Sequence, residues 1–233
     1  MYLKRIFDLF FSLIGIFVLF PVFIITTLCV FFNDFKTPFY TPWRMGKNMK
    51  VFKIIKFRTM VVGADKSGVN STSSNDNRIT NVGNIIRKFK LDELSQLFNV
   101  FIGNMSLVGP RPQIIDHVLN EYSDKEKQLL DVKPGITDFS SIVFSDEGDI
   151  LKDSIDTNND YNNLIRPWKS KLGIFYIKNQ SILLDFYLIL LTIVAILNKT
   201  LSLRFINKLL IKYKADSELV DISKRDKKLL IIK

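Results

Sequence analysis

"RKFKLDELSQLFNV", residues Arg87 to Val100, sets two adjacent carboxylates between a basic cluster and an apolar stripe. Leu91, Leu94, Leu97, Phe98 and Phe101 recur at steps of three and four, which predicts a helix with its core face on those positions. Asp92 and Glu93 then fall in its first turn, with side chains diverging by about 100°. Acids at that place oppose the positive end of the helix dipole, and for an isolated Asp-Glu pair this is the commoner role. The neighbours argue for chemistry instead. Arg78, Arg87, Lys88 and Lys90 lie upstream, and Arg111 lies downstream between Pro110 and Pro112. Two fixed φ angles stiffen that backbone, which suits a guanidinium clamping phosphate, although a structural turn arginine reads the same way. On a predicted strand from Lys50 to Met60, Lys56 and Arg58 share side-chain parity and are expected to face one site. Fixed cations, an anionic nucleophile and Mg2+ are the ingredients of phosphoryl transfer.

The bulk composition agrees with an anionic partner. The chain has 233 residues, 33 basic against 23 acidic, for a net charge of +10. Nucleic acid, acidic lipid or a phosphorylated substrate would each answer that charge. The single cysteine, Cys29, excludes an intrachain disulfide and fits a reducing compartment. With one histidine, His117, a metal site must lean on carboxylates, which favours magnesium over zinc. His117 itself is read as a packing or surface residue.

Upstream, "LFFSLIGIFVLFPVFIITTLCVFF" runs from Leu9 to Phe32 without a charge. As one helix it would reach roughly 36 Å, enough to cross a bilayer. It is long for a signal peptide, and no small-x-small cleavage site follows. Lys4 and Arg5 precede it, and Arg44, Lys47, Lys50, Lys53, Lys56 and Arg58 follow. Basic residues mark the cytoplasmic side, so a crossing helix satisfies only one flank. A re-entrant hairpin bent at Pro21, whose ring breaks a backbone hydrogen bond, satisfies both. A single-pass anchor with a kink stands equally beside it on these residues alone.

Between these landmarks, Asn33 to Asn48 reads as a turn-rich link and Gly63 to Asn77 as a mobile loop. "RITNVGNIIRKFK" is expected to start a helix after Asn81 or Gly83, and Gln113 to Asp131 to form another. "SILLDFYLILLTIVAIL", Ser181 to Leu197, is short for a span and reads as a buried or interfacial helix. "LRFINKLLIKYK" follows as a basic amphipathic helix suited to anionic lipid, with Arg204, Lys208 and Lys212 at steps of four. The tail after Lys214 is expected to be loosely ordered. The fold class is α+β, mainly helical, with a small strand element and amphipathic interfacial helices. The segments are an N-terminal membrane helix (1–36), a catalytic domain (37–200) and a basic helix with tail (201–233).

Taken together, "KRIFDLFFSLIGIFVLFPVF", "KFRTM", "RIT", "IRKFKLDELSQLFNVFIGNMSLVGPRP", "KPGIT" and "YIKNQSILLDFYLILLTI" resemble the bacterial sugar transferases, the monotopic polyprenyl-phosphate phosphoglycosyl transferases. The resemblance runs from about Leu3 to Leu197. It implies a membrane enzyme on the cytoplasmic face of the bacterial inner membrane. Such an enzyme moves a sugar-1-phosphate from a nucleotide sugar, expected to be a UDP-sugar, to undecaprenyl phosphate. This is the first membrane step of exopolysaccharide, capsule, O-antigen or other glycoconjugate synthesis. It further implies Mg2+ as cofactor, a phosphosugar-aspartate intermediate on Asp92, Glu93 as its partner and metal ligand with Asp92, and Lys56, Arg58, Arg87 and Arg111 as the basic set around phosphate. Arg78 joins that set by proximity in sequence. The resemblance favours the re-entrant helix over the single pass. Two departures stand out. The family often bends that helix at a Ser-Pro pair, here Phe20-Pro21, and continues after "KPGIT" with Gly-Trp-Ala-Gln, here "DFSSIVFSDEGDIL". The second departure bears on sugar preference.

A membrane-anchored, non-catalytic protein binding anionic lipid or a partner enzyme would explain the charge and the amphipathic helix, but it leaves Asp92, Glu93 and the Pro-Arg-Pro turn without a role. The apolar block speaks against a nucleic-acid partner.

Overall fold

The computed structural model describes residues 2–227 and 229, so the last residues of the tail lie outside the described ones. It is mainly helical with three short two-stranded ladders. Contacts divide the chain into two compact units: Met1–Ala64 with Asn77–Ile136, and Asp65–Asp76 with Thr137–Lys233. This division differs from the segments 1–36, 37–200 and 201–233: the N-terminal helices share a unit with Asp92 and Glu93, and the basic helix shares one with Ser181–Leu197.

In the first unit, α1 (Tyr2–Val18) and α2 (Phe20–Asp34) meet at a 62° bend. The break falls at Leu19, and Pro21 occupies the first turn of α2, where its missing N–H has no intrahelical acceptor to lose. Among the described residues no single helix is long and apolar enough to cross a membrane, whereas this bent pair together has the length and composition. α1 is amphipathic in an unusual way: its few polar residues face the protein. Lys4 Nζ donates to the Val108 carbonyl (3.1 Å), and Arg5 reaches the carbonyls of Val100 and Phe101 (2.6 and 2.8 Å). The buried Asp8 accepts from Ser106 Oγ and from the Leu107 N–H, both at 3.0 Å. The opposite face exposes Leu3, Ile6, Phe10, Leu13 and Phe17. α2 buries Phe23 against Phe57 and Phe98 and exposes Ile25, Leu28 and Phe32.

β1 (Phe39–Tyr40) pairs antiparallel with β4 (Lys56–Phe57), and β2 (Trp43–Met45) with β3 (Val51–Lys53). The expected Lys50–Met60 strand is thus two pieces. α3 (Asn81–Lys88) starts where expected, because Thr80 caps it by accepting the Gly83 N–H at 2.9 Å. The Leu91–Phe101 helix needs correction. Asp92 and Glu93 sit on a single 3-10 turn, Leu91–Glu93, and α4 is only Gln96–Ile102. Lys90 in the left-handed region (φ 56°) separates them from α3. The core face of α4 is Gln96, Leu97, Asn99 and Val100, while Phe98 and Phe101 are exposed. Two polar residues took buried places that a purely apolar count assigns to phenylalanine. After β5 (Ser106–Val108), the expected long helix is broken into α5 (Ile115–Asn120) and α6 (Asp124–Lys127). The cause is Ser123, which forms a capping box with Glu126 and so starts a new helix. β6 (Gly135–Thr137) pairs with β5.

The second unit stacks α7 (Phe139–Val143) on α10 (Arg166–Asn179), α11 (Ile182–Leu197) and α12 (Lys199–Lys212), counting α8 (Glu147–Ile150) and α9 (Thr157–Asp160) as short connecting helices. The fully buried Asp138 starts α7, accepting from Ser140 Oγ, Ser141 Oγ and the Ser141 N–H at 2.8 Å each. That is the stretch in which the chain departs from Gly-Trp-Ala-Gln. The segment expected as a loop is pinned here: Ser74 N–H donates to the Gly148 carbonyl, and Asn158 Oδ1 accepts from Asn70 and Ser71. Tyr176 Oη donates to the buried Asp185 of α11 (2.6 Å). The tail forms α13 (Ser217–Lys224), which packs Leu219 and Ser223 onto α12 where loose order was expected.

Candidate active site

The Asp92–Glu93 turn is fastened from below by two buried polar side chains one helical turn apart. Ser95 Oγ donates to the Ile55 carbonyl at 3.0 Å. Asn99 Nδ2 donates to the Lys53 carbonyl, and its Oδ1 accepts the Ile55 N–H, both at 2.8 Å. Asn99 therefore acts as a strand neighbour for the gap between β3 and β4. The next residue, Lys56, is delivered to Glu93, with Nζ 3.5 Å from Oε1.

Arg111 arrives from the other side. Gly109 and Gly135 lie backbone against backbone: a Cβ on Gly135 would stand 2.1 Å from the Gly109 nitrogen. Ser106 N–H bonds the Pro134 carbonyl (2.8 Å), and Gly135 N–H bonds the Pro110 carbonyl (2.9 Å). "GPRP" and "KPGIT" are thus two halves of one closely packed support. Gln113 Nε2 caps the Arg111 carbonyl at 2.7 Å, and Met45 N–H ties Gln113 to β2. From this support Arg111 Nη2 reaches Glu93 Oε1 at 2.7 Å.

The two acids differ electrically. Burial alone would raise Glu93, but Arg111 and Lys56, with Lys90, outweigh it and hold Glu93 well below the usual carboxylate range. Asp92 is pushed up, first by burial and then by the charge of Glu93; Lys56, Arg87 and Lys90 oppose this through space only. Lys56 is lowered by burial and by Arg111, against the pull of Glu93 and Asp92. One acid is neutralised by direct contacts, while its neighbour is desolvated and lacks an ion pair among the described residues. Reactive groups are often found in such a setting.

Of the residues singled out from sequence, the structure gathers Lys56, Arg87, Arg111, Asp92 and Glu93. Arg87 Nε donates to Thr59 Oγ1 at 2.8 Å while acting on Asp92 from a distance. Arg58 lies elsewhere. Its fork binds both Asp34 oxygens at 2.6 Å and its Nε the Thr37 carbonyl at 2.7 Å, which clamps the end of α2. β4 ends at Phe57, so strand parity no longer governs Arg58, and a partner 24 residues away takes it. Arg78 Nη1 donates to the Ala64 carbonyl at 3.2 Å. His117 stands 3.9 Å from Glu121, in keeping with a packing role. Ser95 and Asn99 were missed, although their four-residue spacing at the start of α4 is a legible signal. Arg44 was also passed over. It is half-buried near Lys56 and Arg111, lowered by burial and by Arg111 while Tyr40, opposite Lys56 in the ladder, opposes the shift.

No group of three or more His, Cys, Asp or Glu side chains is gathered as a metal site among the described residues. Magnesium needs fewer: it commonly takes one or two protein carboxylates and completes its shell with phosphate oxygens and water. A desolvated Asp92 beside Glu93 fits that use.

A carboxylate pair ringed by cations suits group transfer, and comparison with known proteins makes the class specific. The chain belongs to the bacterial sugar transferase family, whose model matches residues 1–199. It is therefore a transferase. It is 34% identical over 211 residues to the exopolysaccharide production protein PSS of Rhizobium leguminosarum bv. phaseoli, covering 84% of this chain and 96% of that protein. It is 40% identical over 111 residues to a Bacillus subtilis strain 168 protein that carries the provisional name undecaprenyl-phosphate N-acetylgalactosaminyl 1-phosphate transferase, covering 48% of this chain and 62% of that one. It is 31% identical over 199 residues to the UDP-N-acetylgalactosamine-undecaprenyl-phosphate N-acetylgalactosaminephosphotransferase of Aeromonas hydrophila, covering 84% of this chain and 44% of that protein. The match thus spans less than two thirds of the last two relatives.

Proposed function

We propose that the protein transfers a sugar-1-phosphate from a nucleotide diphosphate sugar, read as a UDP-sugar, to undecaprenyl phosphate. The reaction takes place at the cytoplasmic face of the bacterial inner membrane and opens the lipid-linked stage of polysaccharide synthesis. The observation that carries this reading is the pairing of a contact-neutralised Glu93 with a desolvated Asp92 that has no ion pair among the described residues.

In the first step an Asp92 carboxylate oxygen attacks the sugar-bearing phosphorus. The bond from that phosphorus to the bridging oxygen breaks, and the electron pair leaves with the nucleoside monophosphate. In the second step a phosphate oxygen of undecaprenyl phosphate attacks the same phosphorus, frees the Asp92 carboxylate and leaves an undecaprenyl diphosphate sugar. Dividing the transfer means the water-soluble donor and the lipid acceptor need not share the site. A carboxylate approaching a phosphate meets repulsion, which Lys56, Arg111 and Arg87 offset. Glu93 holds Lys56 and Arg111 in place before the donor arrives. Mg2+, held by Glu93 and Asp92, would supply charge neutralisation on the phosphates. The exposed apolar faces of α1 and α2 suit the lipid, with the bend as a re-entrant turn.

Donor alone, without lipid, should label the protein with phosphosugar at no more than one per enzyme, starting with UDP-N-acetylgalactosamine and UDP-glucose. Asp92→Asn should abolish both label and turnover while leaving folding and membrane insertion intact. Near-normal turnover by Asp92→Asn would overturn the assignment. Turnover lost in the variant with no label ever trapped on the wild type would favour direct transfer.

A further inference from the structure

α12 exposes a stripe in which cations and apolar side chains alternate: Leu201, Arg204, Phe205, Lys208 and Ile211, at helical steps of three and four. Its orientation is fixed from behind. Leu203, Ile206 and Leu210 are buried, Ser202 Oγ donates to the Leu191 carbonyl of α11 (2.8 Å), and Asn207 Nδ2 donates to the Val220 carbonyl of α13 (2.7 Å). An open groove of about 750 Å³ runs between α12 and the C-terminal end of α13, within the size range of small-ligand sites. Its lining includes Lys199, Arg204, Lys208, Lys224 and Arg225, with Asp226 as the one acid.

The local carboxylates answer only part of this charge. Asp146 takes Lys199 and Arg225, and Asp221 takes Lys224. Arg225 is largely buried, yet its Nε and Nη1 meet no acceptor among the described residues. Arg204 and Lys208 have no carboxylate at ion-pair distance among the described residues; the Lys208 ammonium instead lies 5.8 Å from the Phe205 ring centre. Two exposed cations one turn apart, with further donors behind them, suit a phosphate. The apolar members of the stripe narrow the choice. A free anion would engage the cations but leave Leu201, Phe205 and Ile211 in water, whereas a phospholipid at an interface meets both classes at once. Ile193, Ile196 and Leu197 at the end of the preceding α11 are exposed as well.

We propose that the groove between α12 and α13 binds the headgroup phosphate of an anionic phospholipid, with Arg204 and Lys208 as principal ligands and Leu201 and Phe205 against the upper acyl chain. The proposal does not depend on the transfer chemistry. Arg204 and Lys208 lie beyond the residues matched by the family, and the test measures lipid binding rather than turnover.

Native mass spectrometry of the full chain in neutral detergent would be run with equimolar phosphatidylglycerol and phosphatidylcholine of equal chain length. Phosphatidylglycerol adducts should dominate. Each cation near an anionic headgroup is worth about fivefold, so Arg204→Gln/Lys208→Gln should weaken phosphatidylglycerol binding about 30-fold and leave phosphatidylcholine unchanged. Both residues are exposed, so the melting curve should be unaltered. Arg204→Gln alone, with about fivefold, serves if the double variant misfolds. Equal binding of the two lipids, or undiminished phosphatidylglycerol binding in the variants, would refute the site. Displacement of the lipid by millimolar inorganic phosphate would refute the lipid as its occupant.

Discussion

Asn99→Ala is the most direct test of how the site is held together. Asn99 is 1% exposed and satisfies two main-chain groups, the Ile55 N–H and the Lys53 carbonyl, each at 2.8 Å. Alanine removes both partners at once. A buried group left without its partner costs about 1–3 kcal/mol, so two cost about 2–6 kcal/mol; partial access of water to the carbonyl places the expectation near 3 kcal/mol. For a chain of this size that corresponds to a fall in melting temperature of about 6–12 °C. Thermal unfolding in detergent, followed by circular dichroism, reads it directly. Because Lys56 follows Ile55, turnover measured well below the melting transition should also fall, by at least tenfold, through misplacement of an ammonium that faces Glu93. A melting temperature within 2 °C of wild type would refute the claim that Asn99 stands in for a strand. Full activity in a destabilised variant would confine its role to stability.

Three further outcomes are expected. If Asp92 must be ionised to react and its pKa is raised, kcat/KM should fall with decreasing pH at values above those of an ordinary aspartate; an acid limb at the usual position would count against burial of the nucleophile. The same shift has a stability consequence of fixed sign. A raised carboxyl favours the fold below the ordinary value and loses that contribution as pH rises through its own, so Asp92→Asn should melt no lower than wild type at neutral pH. Arg111→Lys should lose more than tenfold in kcat/KM despite the retained charge, since an ammonium cannot present two parallel donors to phosphate; a change within twofold would make Arg111 a structural residue. Cysteines introduced near positions 2 and 36, after replacement of Cys29, should be labelled from the same side of the membrane. Pro21→Leu alone should preserve that pattern, and labelling of one site only from outside would exclude the re-entrant arrangement.

What the chain disclosed before its structure was known follows a physical divide. Local signals were readable: the helix expected after Asn81 or Gly83 begins at Asn81 with Thr80 as its cap, and Pro21 marks the vicinity of the bend. The Asp92–Glu93 pair and Arg111 were readable as a candidate cluster because charge excess and a rigid turn are local properties. Arg58 was misread because its partner Asp34 is brought near by the path of α2, and strand parity says nothing of a residue just past the strand's end. Phe98 and Phe101 were assigned inward because hydrophobicity was counted without asking which polar residues the backbone needed. Gln96 and Asn99 hold the buried face of α4 instead, and Asn99 is there because an unpaired strand edge demands donors and acceptors more than it demands apolar volume. The closeness of Gly109 in "GPRP" to Gly135 in "KPGIT" is a property of the packed backbone alone and leaves no mark in the sequence.

The bent pair is fixed at both feet. Near one end Lys4, Arg5 and Asp8 grip the segment from Val100 to Val108, and at the other Asp34 is locked in the fork of Arg58. With both feet fixed, the opening angle is dictated by the distance between them, and the proline only permits it. Arms of 17 and 15 residues, opened by a 62° bend, form a shallow chevron. Its apex stands roughly 12 Å above the line joining its feet, given about 1.5 Å per residue, against a hydrocarbon core about 30 Å thick. Laid on a bilayer, such a wedge would displace acyl chains in one leaflet and leave the other undisturbed. Lateral pressure in that leaflet would then press the feet together or apart, and the foot at Asp34 is joined through Arg58 to the strand that carries Lys56.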